Sequence, residues 1–318
     1  MASSEWLGGV GSTPVEYSGV LSAALGVELY FKRDDFLPGP GGGNKVRIVR
    51  EILGRALKGA QEYDAVVSTG GVRSNLARIV AAAAGSLGWQ CGLVLHGVEG
   101  GGDPHLRLVR ILGAEVEVVR PELVECRIEA MIGRMEARGR RVLFIKGGGS
   151  SVVGACAYVD AAEELLRQEA TLGIRFDTIV MPSGTGGTQA GLVCGFAARN
   201  RKIRVIGISV ARSNPRGQGA VEELVRAVGA EIGLSRMPEV EFLDQWTCGG
   251  YEIADRRVWE AIELCGQAGV PLDPTYTGKA FLGMMDLVRT GRIAQGERVL
   301  FWHTGGLLNL FAAMGKNA

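Results

Sequence analysis

The stretch Thr178-Ile179-Val180-Met181-Pro182-Ser183-Gly184-Thr185-Gly186-Gly187-Thr188 decides the fold class. A short apolar, β-prone run ends in a turn of proline, serine and glycine, and a helical pattern opens at Thr188 and continues to Ala198. Glycines let successive backbone N–H groups turn toward one point, and the dipole of the following helix favours an anion there. Thr185 and Thr188 add hydroxyl donors. A phosphate is the natural guest of Gly184, Thr185, Gly186, Gly187 and Thr188. The competing reading is a tight strand–helix turn with a threonine N-cap.

The same alternation extends outward along the chain. Strands are expected at Val27–Phe31, Ala65–Ser68, Cys91–Leu95, Glu115–Val119, Val142–Ile145, Thr178–Met181, Val205–Val210, Val240–Leu243 and Val299–Trp302. Helices are expected to begin near Lys45, Asn75, Pro104, Pro121, Val152, Thr188, Gln218, Asp255, Gly278 and Leu307. Strand–helix alternation of this kind means an α/β protein with open, mostly parallel twisted sheets flanked by helices, joined by right-handed crossovers. A compact helix–strand block in the first half reads as a small domain over 44–156, inserted into a larger one made of 1–43 and 157–318. The chain has 49 glycines, clustered at 39–43, 70–71, 97–102, 147–149, 184–187, 249–250 and 305–306. Several clusters fall at strand carboxyl ends, where open α/β sheets bind their ligands.

Composition excludes several function classes. With 318 residues, a formal net charge of +1 and 22% charged residues, no electrostatic pull toward nucleic acid or an anionic membrane is expected. No apolar run reaches membrane-spanning length. The N-terminus, Met1-Ala2-Ser3-Ser4-Glu5, lacks the basic and apolar regions of a signal peptide. Six cysteines without a C-x-x-C unit and only three histidines give no metal-ligand pattern. Buried thiols in a reduced cytoplasmic compartment are expected.

Lys45 is the leading chemical candidate, in Gly39-Pro40-Gly41-Gly42-Gly43-Asn44-Lys45. Asn44 reads as an N-cap, with Val49, Ile52, Leu53, Ala56 and Leu57 at helical spacing beyond it. Lys45 then stands at the positive end of a helix dipole, with Arg47 and Arg50 on the same turns. Those charges should depress its pKa and raise its nucleophilic fraction. Two nucleotide motifs fail on the letters. No G-x-x-x-x-G-K-[ST] occurs, and Gln189 stands where G-x-G-x-x-G needs its third glycine. A phosphate carried by a smaller cofactor fits better.

Further strand-to-helix loops hold the remaining candidates. In Gly70-Gly71-Val72-Arg73-Ser74-Asn75, Ser74 or Asn75 either caps a helix or meets a substrate carboxylate and a cofactor oxygen. Leu272-Asp273-Pro274-Thr275-Tyr276-Thr277-Gly278-Lys279-Ala280 and Phe301-Trp302-His303-Thr304-Gly305-Gly306 lie near the C-terminus. Gly249-Gly250-Tyr251 offers a second tyrosine. His303 reads as structural.

Together these segments resemble the pyridoxal-phosphate enzymes of the tryptophan-synthase-β fold (fold type II), in the branch of D-cysteine desulfhydrase and 1-aminocyclopropane-1-carboxylate (ACC) deaminase. The resemblance rests on Gly-Gly-Asn-Lys at 42–45, Gly-Val-Arg-Ser-Asn at 71–75, Gly-Thr-Gly-Gly-Thr at 184–188, Asp-Pro-Thr-Tyr-Thr-Gly-Lys-Ala at 273–280 and His-Thr-Gly-Gly at 303–306. It implies pyridoxal 5′-phosphate as cofactor, a cofactor-binding large domain and a homodimer. It also implies that Lys45 carries the cofactor and that Asn75 bonds its phenolic oxygen. Gly184 to Thr188 would cradle the phosphate, and Thr304 would face the pyridine nitrogen. Ser74, Tyr251 and Tyr276 become the residues that orient substrate and relay protons. Position 277 separates the branches: ACC deaminases resemble one another in a glutamate there, whereas Thr277 matches the desulfhydrase-like branch.

Three positions depart from the family pattern: Arg73 for glutamine, Leu76 for histidine or glutamine, and Ile48 for a second lysine whose charge Arg47 or Arg50 would have to replace. Arg73 is either an outward salt-bridge residue or a group that reaches an anionic part of the substrate. The reading that results is a lyase performing α,β-elimination on a small β-substituted amino acid. ACC-type deamination, β-replacement and racemisation are the alternatives within the family. A non-catalytic, cofactor-binding regulator is the alternative of another class.

Overall fold

The computed structural model of the protein describes residues 11–98 and 103–315. The glycines at 100–102 lie outside that set. The chain divides into two compact units. One takes Pro38–Pro40 and Lys45–Gly154, the other Gly11–Leu37, Gly41–Asn44 and the chain from Ala155 on.

The second unit is built on a six-stranded sheet. Its strands are β1 (Val15–Tyr17), β2 (Glu28–Arg33), β7 (Thr178–Ser183), β8 (Arg204–Ser209), β9 (Glu241–Leu243) and β10 (Arg298–His303), in the order β1-β2-β10-β7-β8-β9. Only the β1–β2 pair is antiparallel. The other pairings are parallel, so β2, β10, β7 and β8 deliver their carboxyl ends to one edge. Such strands are covered on both faces, which is why they read as unbroken apolar runs rather than alternating ones. Phe31, Phe281 and Phe301 form an aromatic core, with Phe281 and Phe301 edge-to-face at 5.5 Å.

The first unit holds a four-stranded parallel sheet: β3 (Ala65–Gly71), β4 (Gln90–His96), β5 (Glu115–Val119) and β6 (Val142–Ile145), in the order β5-β4-β3-β6. Ala65, Val67 and Val94 pack against Met131 and Met135, which belong to α5 (Val124–Glu136). Helix α2 (Lys45–Lys58) buries Val46, Ile48, Val49 and Leu53. Leu57, expected on that face, is exposed in a last turn that ends with Arg55 and Lys58.

Two short elements go beyond those expected from sequence: β1, and α1 (Gly19–Leu25). β2 also runs two residues past its expected end, through Lys32 and Arg33, which look like loop residues on composition. Lys32 is fully buried and pairs with Glu164, while Arg33 pairs with Glu16 and Asp35.

Helix α7 (Gly187–Ala198) packs closely on α6 (Val152–Leu172) at Gly191. A Cβ there would stand 2.1 Å from the Ala155 carbonyl oxygen and 2.5 Å from the Tyr158 Cβ. Gly191→Ala is therefore expected to lower stability by about 1–3 kcal/mol through overpacking. Gly219→Ala meets nothing within 4 Å and is expected to be neutral or stabilising by about 0.4–1 kcal/mol. Urea unfolding of the two variants checks the contrast.

Candidate active site

In the second unit, three carboxyl-end loops are joined by hydrogen bonds. The loop after β7 turns at Gly186, where φ is 91° and a Cβ would lie 2.9 Å from Val221 Cγ2. Glycine is required at this position. Gly186 is the N-cap of α7 and no side chain caps the helix. The first-turn N–H groups have no intrahelical acceptor and remain available to an anion. No heavy atom lies within 4 Å of a Cβ placed on Gly187, so space is open above the loop. Gln189 is fully buried and runs past Gly207 to donate to the Glu241 carbonyl at 2.8 Å. Its side chain fills the helix–sheet gap that the third glycine of a dinucleotide loop would keep clear.

Thr188 Oγ1 accepts a hydrogen bond from Asn44 Nδ2 at 3.0 Å, and the Asn44 backbone N–H donates to the Thr304 carbonyl at 3.0 Å. The side-chain nitrogen of Asn44, read from sequence as an N-cap, thus serves a loop 144 residues away. Gly43, at φ 98°, would place a Cβ 2.7 Å from the same Thr304 carbonyl. Upstream, the buried Asp34 accepts from Tyr158 Oη at 2.6 Å and Trp302 Nε1 at 2.8 Å, and its carbonyl accepts from the Gly43 N–H. His303 is buried with Nε2 2.9 Å from the Pro271 carbonyl and Nδ1 accepting from the Gly305 N–H at 3.2 Å. Both ring nitrogens are occupied structurally.

Asp273 organises the next loop. Its carboxylate accepts from the Thr275, Tyr276 and Thr277 N–H groups at 2.9–3.0 Å and from Thr277 Oγ1 at 2.8 Å. It therefore closes the N-terminus of α10 (Thr277–Arg289). Burial pushes its pKa up against those four bonds. The Thr277 hydroxyl also accepts from the Asp273 N–H at 2.8 Å. Thr277 thus has its one proton committed to Asp273 and is 0% exposed. Thr304 differs: it is nearly buried, yet among the described residues its hydroxyl has no protein partner. Gly306 places the Thr304 loop directly on Asp273, whose Oδ1 would be 2.4 Å from a Cβ there. Tyr251 and Tyr276 meet edge-to-face at 5.6 Å with their hydroxyls in contact. Burial raises the Tyr251 pKa to about 12, so it stays protonated at neutral pH.

In the first unit, Lys45 opens α2 and its Nζ donates to the Gly148 carbonyl at 2.8 Å, in the turn that follows β6. Its pKa falls to about 8 because burial disfavours the ammonium. The direction is the one expected from sequence; the cause is desolvation rather than Arg47 and Arg50. Ser74 is the N-cap of α3 (Asn75–Leu87), accepting from the Ala77 N–H at 3.4 Å. Asn75 is buried and its Oδ1 has no hydrogen-bond partner. Arg73 bonds Asp103 at 3.0 Å, with both side chains mostly covered. Ile48 and Leu76 are 1% exposed and both lie against Gly149; a Cβ there would be 2.4 Å from Ile48 Cγ2 and 3.6 Å from Leu76 Cδ1. These two departures are one packing solution around a glycine turn.

A cleft of about 1140 Å³ elsewhere in the second unit includes Asp177 and Arg204, at the amino ends of β7 and β8. Its Arg201 and Arg204 are paired with Glu169 and Glu241. The cleft lies at the opposite end of these strands from the glycine loops.

The second unit thus offers an uncapped helix N-terminus behind a glycine turn, suited to a phosphate, and the first unit offers, separately, a buried amide oxygen without a partner and an amine of lowered pKa, suited to an aldehyde. Residues 7–305 match the family model described as pyridoxal-phosphate dependent enzyme. The chain belongs to this family, within the ACC deaminase/D-cysteine desulfhydrase group, and its cofactor is pyridoxal 5′-phosphate. It is 38% identical to the 1-aminocyclopropane-1-carboxylate deaminase of Methylobacterium nodulans, over 93% of this chain and 92% of that protein. It is 37% identical to the protein of that name from Ralstonia nicotianae, over 96% of each chain. A crystal structure described as an ACC deaminase homologue superimposes with a TM-score of 0.89 at 35% identity, covering 96% of this chain and 93% of that one. No described helix is long and apolar enough to cross a membrane.

Two outcomes test the site's chemistry. Below about pH 8 Lys45 is an ammonium and above it a free amine. Capture of pyridoxal phosphate by the apoprotein, followed by its near-visible absorption, should therefore be half-maximal near pH 8 rather than at the ordinary lysine value. Thr277→Val removes both hydroxyl bonds to Asp273 and should cost about 1–3 kcal/mol. Thr304→Val removes none and should melt like the native chain in thermal denaturation of the apoprotein.

Proposed function

We propose that the protein is a pyridoxal-phosphate-dependent lyase that eliminates the β-substituent of a small amino acid, in the manner of D-cysteine desulfhydrase. The α-carbon loses a proton and the β-carbon loses a thiolate or comparable anion. The 2-aminoacrylate released hydrolyses to a keto acid and ammonia. The observation that carries this reading is position 277, where a fully buried threonine donates to Asp273 and no carboxylate side chain can be presented.

When bound, the cofactor supplies an aldehyde that condenses with amines and a ring that accepts electron density from the α-carbon. The chain's own groups supply the rest. Lys45 with a pKa near 8 holds a useful neutral fraction at physiological pH, and the same amine can take up the α-proton. The uncapped first turn of α7, with Thr185 and Thr188, would hold the phosphate. Asn75 in the first unit and Thr304 in the second each carry a polar group without a protein partner that would suit the cofactor's ring substituents. Tyr251 remains a phenol, so the Tyr251–Tyr276 pair donates a proton or orients the substrate rather than acting as a base. Ser74 retains a hydroxyl proton for a substrate carboxylate while its oxygen caps α3. Arg73 is held by Asp103, which limits it to tuning the charge around the substrate.

The relatives named as ACC deaminases favour a second reading, deamination of ACC. One screen separates the two. Holoenzyme is given D- and L-cysteine, β-chloro-D- and L-alanine, O-acetylserine and ACC, and keto-acid release is measured. The β-substituted compounds should be turned over at least tenfold faster than ACC, and Lys45→Ala should release nothing. Turnover of ACC alone would replace elimination by deamination.

A further inference from the structure

Lys279 is the third residue of α10 and is 0% exposed. Its Nζ donates to four backbone carbonyls: Val210 at 2.9 Å, Thr247 at 2.9 Å, Gly250 at 2.6 Å and Tyr251 at 3.3 Å. Among the described residues no carboxylate bonds it. An ammonium has three N–H donors, so four acceptors surround it as a coordination shell rather than as matched hydrogen bonds. Its position is otherwise unfavourable for a cation, at the positive end of a helix and removed from water. The converging carbonyl dipoles offset those costs at hydrogen-bond distance, and Asp273 and Asp255 favour the charge from further away. Rings of carbonyls replace the hydration shell of potassium in the same way.

The loop that supplies three of these carbonyls has little else to fix it. Thr247–Tyr251 contains no helix or strand. It turns through positive φ at Cys248 (56°) and Gly249 (83°), and among the described residues its backbone bonds are two, from the Gly250 N–H to the Thr247 carbonyl and from the Ile253 N–H to the Gly250 carbonyl. The fourth carbonyl, Val210, follows β8. The ammonium thus ties the Tyr251 loop to the end of the sheet and to α10, whose N-cap is Tyr276.

We propose that Lys279 is a tethered monovalent cation, a positioning residue whose carbonyl cage sets the Tyr251 loop and thereby the Tyr251–Tyr276 hydroxyl contact. Removing its side chain leaves an ammonium-sized cage that takes up a free potassium or ammonium ion. The cage stands independently of the proposed elimination; its effect on turnover rests on that reading, through the tyrosine pair.

The test uses holoenzyme carrying Lys279→Ala or Lys279→Met, in potassium, ammonium, lithium and choline chlorides at equal ionic strength. Thermal melting and near-ultraviolet tyrosine dichroism are recorded beside kcat and KM. Lys279→Ala should melt roughly 3–6 °C higher in potassium or ammonium than in choline. Its tyrosine signal should return toward native, and any lost kcat should recover with it. The native chain and Lys279→Met, whose stem fills the cage, should show no such preference. A Lys279→Ala protein that melts alike in all four salts, or is unfolded in all of them, overturns the proposal. So does a native tyrosine signal in Lys279→Met, which would assign the residue to packing alone. Failure of the native enzyme to release keto acid bears on the elimination reading and leaves these melting outcomes unchanged.

Discussion

Asn44 is the point on which the candidate site depends. Its backbone N–H holds the loop after β10 and its side-chain amide holds the first turn of α7. The loop that carries it is fixed in turn by Asp34 at the end of β2. Parallel pairing sends the ends of β2, β10 and β7 to one edge but leaves the loops beyond them without a ladder. One asparagine with two donors supplies the missing ties, and Lys45 is the next residue in the chain. Substituting Asn44 would therefore affect the Gly184–Thr188 loop and the Thr304 loop together.

Among the described residues, the unit containing the six-stranded sheet carries two fully buried lysines, each stabilised in a different way. Lys32 meets a carboxylate, Glu164, together with the Thr13 carbonyl and Gln168. Among the described residues Lys279 donates to backbone carbonyls, with Asp273 and Asp255 acting on its charge without a hydrogen bond. A buried ion pair cancels charge but contributes little net stability once both groups are desolvated. A carbonyl cage leaves the charge in place and uses it to gather backbone that has no ladder of its own. The first suits an interior between β2 and α6; the second suits an irregular loop that must hold a tyrosine still.

Much of this architecture was legible in the sequence because parallel strands buried on both faces read as apolar runs. The nine expected strands match observed ones, with ends shifted by at most three residues, the largest at β3. β1 and α1 are too short to establish a period. The end of β2 was hidden because Lys32 and Arg33 look exposed until Glu164 and Glu16 are brought beside them. The second tie of Asn44, from its side-chain nitrogen to Thr188, could not be read from sequence because the partner is 144 positions away. The direction of the Lys45 shift followed from a lysine at a helix start; its cause, burial, requires the fold. Ile48 and Leu76 stood out only as departures, and Gly149 explains them as one apolar contact. Lys279 gave no signal, since its acceptors are backbone carbonyls that any sequence would supply.

On the proposed reading, position 277 is where a change of one residue would redirect chemistry without disturbing the fold. A carboxylate placed beside a pyridine nitrogen keeps that nitrogen protonated and makes the ring a strong electron sink, which opening a cyclopropane demands. Here the only carboxylate in the turn is Asp273, with its oxygens taken up by three N–H groups and the Thr277 hydroxyl. Releasing it to serve a ligand would leave the first turn of α10 uncapped in a buried setting, which costs on the order of 1–3 kcal/mol for each bond lost. The Thr304 hydroxyl carries no such duty and is the neutral donor that remains. On the proposed reading, a ring facing that hydroxyl is a weak sink. A weak sink suffices when a good leaving group departs from the β-carbon as soon as the α-proton is gone, because negative charge then leaves with the substituent instead of accumulating on the ring.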